Sequence, residues 1–123
     1  MRAPALYKDS DWHMPKQQLS RAQDLASYRQ QRIPASENRA LSACAAFRGD
    51  VLLVESECDR IVPAPVLANY RQACINARSL TSRTIAQADH ALSDESSRRS
   101  YAKIVLGWFG EMLEGARQHA STD

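Results

Sequence analysis

The sequence predicts an α/β fold, and three observations carry that prediction. Val51 to Val54 is a run too short and too rich in β-branched valine for a helix, apolar on consecutive rather than alternating positions. Strands of parallel sheets read this way because helices cover both of their faces. A second β-branched stretch, "SLTSRTIA" at residues 79–86, follows one helical segment later. Finally, Tyr101, Ile104, Val105, Trp108, Phe109, Met112 and Leu113 step by threes and fours along a long amphipathic helix. A strand-helix-strand unit with this patterning implies a right-handed parallel crossover.

Taken in order, "MRAPALYKDSDWHMPK" has no helical period and contains two prolines, so it reads as an extended start followed by a loop. "LSRAQDLASYRQQ" places Leu19, Ala22, Leu25 and Tyr28 at helical spacing before Ile33-Pro34 breaks the pattern. In "SENRALSACAAFRG", Ser36 is the N-cap candidate, Ala40, Cys44 and Phe47 share a face, and Gly49 is the stop. After the first strand, "APVLANYRQACINA" has Pro65 near its start, where a missing N–H costs nothing, and Leu67, Tyr70 and Cys74 at helical spacing. The last helix starts at a cap in "LSDESS". Its apolar stripe is worth ~1.5–3 kcal/mol per large side chain if fully buried, which outweighs Gly107 and Gly110. The tail "EGARQHASTD" loses the apolar face and is expected to fray.

Composition bounds what such a fold can do. The 123 residues suit one domain, and 44% hydrophobic with 24% charged residues is the balance of a chain that folds around a core. The formal charge of +2 is spread along the chain, and Arg98-Arg99 is only a pair, so no nucleic-acid footprint is present. No stretch approaches the ~20 apolar residues of a membrane span, and the first fifteen residues contain no signal-peptide core. Cys44, Cys58 and Cys74 are odd in number and lack short metal-type spacing. A reducing, cytoplasmic setting is the expectation.

In open parallel sheets, chemistry collects beyond the carboxyl ends of the strands. Two polar groups stand there: Asp59, in "ECDRIVP", and His90, in "AQADHALSD". They are one strand-helix-strand unit apart, so neighbouring parallel strands would bring them to the same edge. An aspartate that accepts the Nδ1 hydrogen of a histidine fixes its tautomer and stabilises the imidazolium, the support a general base needs. Each residue also has a structural reading. Asp59 would close the turn before Ile61-Val62-Pro63 or pair with Arg60, and His90, beside Asp89, would be a loop histidine. Trp12 and His13 would line a pocket, or the tryptophan would pack on the sheet edge.

From Gly49 to Asp94, and above all in "GDVLLVESECDRIVP" and "ADHALSD", the chain resembles the C-terminal part of the α/β-hydrolase fold. There one strand ends in the acid of a catalytic triad and the next is followed by its histidine, after a nucleophile earlier in the chain. "RAPALY" is similar to the end of the preceding sheet strand in small bacterial members. The resemblance implies a single partial domain over residues 1–123: a cap-like helical insertion at 8–47 and a strand-helix-strand-helix core at 48–118. It also implies catalytic roles for Asp59 and His90 and a need for no metal or organic cofactor.

The family's nucleophile sits in G-x-S-x-G, and none of Gly49, Gly107, Gly110 and Gly115 brackets a serine. Cys44 in "SACAA" has a helix before it and a strand after it, the reverse of the required elbow. Ser56 follows a strand but is flanked by Val54 and Cys58 where small residues are needed. Loss of a triad nucleophile costs on the order of 10⁶ in kcat. The expectation is a hydrolase-type chain (ester, thioester or peptide) that is inert unless the missing half is supplied, with a small acyl or peptide substrate only then. Two rival readings are a non-catalytic binding or assembly module that self-associates through an open sheet edge, and a gene fragment without function.

Overall fold

The computed structural model describes residues 1–19 and 23–122. Helical residues α1 (Lys16–Leu19) and α2 (Gln23–Arg29) fall in the segment where a helix was expected, and Ala22 of the expected stripe lies outside the described residues. They are followed by α3 (Arg39–Ala46), β1 (Asp50–Ser56), α4 (Ala64–Ala73), β2 (Ser79–Ile85) and α5 (Glu95–Thr122). The class is mixed α/β with a parallel sheet: β1 pairs with β2 in register from Asp50 opposite Ser79 to Ser56 opposite Ile85.

The extended start joins that sheet. Arg2 bridges Val54 in parallel. The Val54 N–H donates to the Met1 carbonyl and the Ala3 N–H to the Val54 carbonyl, both at 2.8 Å. The N-terminal ammonium donates to the Leu52 carbonyl. β1 is therefore flanked on both sides, and its apolar run is buried on both faces, as its consecutive pattern predicts.

One face holds a core of Leu6, Ile33, Leu41, Leu53, Val66 and Tyr70, built from α3, α4 and the extended start. Residues from Ile33 onward in the 8–47 segment thus belong to the same core as the sheet. The other face holds Leu52, Val54, Ile85, Ala88 and Leu92, covered by Tyr101, Ile104, Val105 and Trp108 of α5. β2 is covered less completely: Leu80, Ser82 and Thr84 all stay exposed.

Local capping departs from the expectation at α3. Ser36 lies in a 3-10 turn over Ala35–Glu37, and Asn38 is the N-cap, its Oδ1 accepting from the N–H groups of Ala40 and Leu41. Asn38 wins because its amide also donates to the Tyr7 carbonyl (2.8 Å) and the Tyr28 hydroxyl (3.0 Å), which together with the two cap N–H groups make four partners that a serine hydroxyl cannot span. Leu41, not Ala40 or Phe47, is the buried residue of that helix. Gly49 is not a left-handed cap: the helix ends at Ala46, and the Phe47 ring lies over Gly49, where an added Cβ would meet its Cζ at 2.7 Å.

Two further expectations about α5 change. Its tail continues helical to Thr122. Its stripe is only half used, because Phe109 and Leu113 are 54% and 59% exposed, and Leu106 beside them is 72% exposed. No helix among the described residues is long and apolar enough to cross a membrane.

Candidate active site

The two strand-end residues meet. Asp59 leaves the turn after β1 and His90 the loop after β2, and Asp59 Oδ2 lies 2.9 Å from His90 Nδ1. Parallel pairing with no offset is what allows this, since it brings both strands to an end at the same level, Ser56 opposite Ile85. The other carboxylate oxygen is held too: Asp59 Oδ1 accepts the N–H groups of Ile61 at 2.8 Å and Val62 at 2.9 Å. The carboxylate therefore both closes its own turn and orients the histidine. Arg60 stays exposed.

The electrostatics follow from those contacts. The Asp59 side chain is only 5% exposed, and burial pushes its carboxyl up; the Val62 N–H, the His90 ring and the Ile61 N–H outweigh that and hold it below the usual carboxylate range. Asp59 is thus ionised at neutral pH. An ionised carboxylate against Nδ1 selects the tautomer with the hydrogen on Nδ1, which leaves the Nε2 lone pair as a base. The His90 side chain is 34% exposed, so the ring is accessible. Asp89, adjacent in sequence, is engaged elsewhere: it accepts from the Ser93 N–H at 2.8 Å and the Ser93 hydroxyl at 2.6 Å.

A cavity of about 290 Å³ lies against the acid, lined by Ser56, Asp59, Val62 and Leu67 among others. The nucleophile candidates do not complete a triad. Ser56 Oγ is buried without a hydrogen-bond partner. Cys44 lies within α3, where burial, and then the neighbouring Cys74, push its thiol up to about 11, so it is protonated at neutral pH. Trp12 does not pack on the sheet edge; it is exposed, with the Arg39 guanidinium 5.8 Å from its ring, and His13 is exposed beside it.

Contacts that the sequence reading did not single out hold the histidine loop. The Arg2 guanidinium donates to the His90 carbonyl at 2.6 Å, the Gln87 N–H to Glu57 Oε2 at 2.6 Å, and the Cys58 N–H to the Ala88 carbonyl at 2.9 Å. No local pattern marks Arg2 or Glu57, because their partners are distant in sequence. Among the described residues, no group of three or more His, Cys, Asp or Glu side chains is placed to hold a metal ion. Compared with known proteins, the chain matches no protein-family model and no curated sequence.

Proposed function

We propose that this chain is the acid-and-base portion of an α/β-hydrolase-fold serine hydrolase of ester, thioester or peptide type. The observation that carries the reading is the Asp59–His90 contact at the carboxyl ends of two adjacent parallel strands, with the acid preceding the histidine. In this reading His90 Nε2 takes the proton of a serine hydroxyl as it attacks an acyl carbon, and later gives it to the leaving group. Asp59 stabilises the imidazolium formed between those steps. The serine and the oxyanion-hole N–H groups come from a second polypeptide half, and the chain alone is inert.

Coexpression with an N-terminal hydrolase half, followed by assay of p-nitrophenyl ester cleavage, tests this. Activity is expected only with both halves and is expected to be lost in His90→Ala; activity that His90→Ala leaves unchanged would sink the proposal. One set of observations favours a second reading, a non-catalytic assembly module. Leu106, Phe109 and Leu113 are exposed on α5, and an apolar cavity of about 490 Å³ beside the start of β1 is lined by Met1, Phe47, Trp108 and Phe109. Under that reading the chain self-associates, and a compact monomer in size-exclusion chromatography with light scattering counts against it.

A further inference from the structure

Among the described residues, the non-glycine residues with left-handed backbone are Ala3 (φ 39°), Gln87 (φ 60°) and Leu92 (φ 53°). All three surround one contact. Gln87 and Leu92 bracket His90 in its loop, and Ala3 directly follows Arg2, whose guanidinium donates to the His90 carbonyl. None is asparagine, aspartate or glycine, the residues that tolerate this region. Such conformations persist only where the surroundings over-determine them, and they cluster where a side chain must be aimed.

The over-determination can be traced bond by bond. At one end of the loop, Glu57 holds the Gln87 N–H and the Ala88 carbonyl holds the Cys58 N–H. At the other end, Leu92 is buried in the core beneath α5. Between them, among the described residues, the His90 carbonyl is held by the Arg2 guanidinium. Arg2 is itself fixed by strand pairing to Val54, the same β1 that delivers Asp59 a few residues later. Acid, histidine and arginine are thereby referenced to one strand, and the arginine sets the height of the histidine backbone above it.

We propose that Arg2 is a positioning residue for His90, holding the histidine loop at the level where Nδ1 meets Asp59, with Glu57 as the second anchor of the same loop. This rests on the reading of Asp59 and His90 as a working pair. The guanidinium acts on the carbonyl and not on the ring, so its effect on the imidazole is geometric. Geometry and charge predict different outcomes. Displacement of the histidine loop breaks the contact between Asp59 and His90 Nδ1; loss of a nearby positive charge alone leaves that contact in place.

The test is nitrogen-15 NMR of the full chain labelled at histidine. Wild type should show a strongly deshielded Nδ1–H resonance for His90, and Asp59→Asn should lose it. Arg2→Met keeps the aliphatic stem and the backbone pairing. It is expected to lose the same resonance, with Arg2→Lys recovering part of it. A retained resonance in Arg2→Met overturns the role of Arg2 while leaving the pair intact. A wild type without the resonance, with a His90 spectrum that Asp59→Asn leaves unchanged, overturns the underlying pair instead. Should Arg2→Met fail to fold by circular dichroism, Glu57→Ala decides the matter: its side chain is exposed. Loss of the resonance there supports loop positioning, and its retention overturns it.

Discussion

The two faces of the β-sheet differ in how completely they are packed. On the α3 and α4 side, Leu6, Leu41, Leu53 and Val66 are wholly enclosed, and buried polar groups are matched: Asn69 accepts the Ile33 N–H at 3.0 Å and donates to the Gln31 carbonyl at 2.8 Å. On the α5 side the covering residues are all partly exposed, and the Trp108 indole N–H is buried without a partner. Two helices and the extended start enclose the first face; a single helix lies along the second. The comparison teaches that stability is concentrated on one face, while α5, the helix with the longest apolar stripe, contributes less than its composition allows.

Truncation on each face breaks the comparison or sharpens it. Leu53→Ala is expected to cost about 2–5 kcal/mol, because it leaves a cavity among enclosed neighbours that cannot collapse into it. Ile104→Ala, at a half-buried site, is expected to cost about 1 kcal/mol, the transfer free energy of the area it covers. Urea denaturation of both variants measures this, and equal costs would show that α5 is as well packed as α4.

Acid titration gives the next largest effect, on the well-packed side, where Asp59 closes the turn into α4. Its folded pKa lies below its unfolded value, so it adds stability above about pH 4 that is lost as pH falls through the folded pKa. Asp59→Asn should be less stable than wild type at neutral pH and should lose less on acidification, followed by thermal midpoints from about pH 6 to about pH 2. The loss that remains belongs to other carboxylates. Asp50 is among them, lowered to about 2 by hydrogen bonds from Arg78 and Ser79, and Asp89 is held low by Ser93.

The smallest effect is expected at Leu106, whose side chain stands in solvent. Leu106→Glu should change stability by no more than about 0.5 kcal/mol. A larger loss, dependent on protein concentration, would mean that α5 is covered by another molecule in solution.

Legibility in the sequence tracked how local each cause was. β1 was readable because burial on both faces leaves consecutive apolar residues, and α4 because proline and helical spacing mark its start and its inner face. The cap of α3 was misread because Ser36 satisfies the local rule, whereas Asn38 answers to Tyr7 and Tyr28 as well. Periodicity in α5 marked an apolar stripe but not its coverage, since Phe109 and Leu113 fit the pattern as well as Val105 does.

By itself the sequence determined the order of elements, the parallel class of the sheet and the arrival of an acid and a histidine at its strand ends. Those features follow from side-chain periodicity and chain order, which are local. Only the tertiary structure decided that the strands pair without offset, so that Asp59 and His90 touch, and that Arg2 and Glu57 secure the histidine loop. Register and long-range hydrogen bonds join residues far apart in the chain, and their geometry exists only once both faces of the sheet have packed.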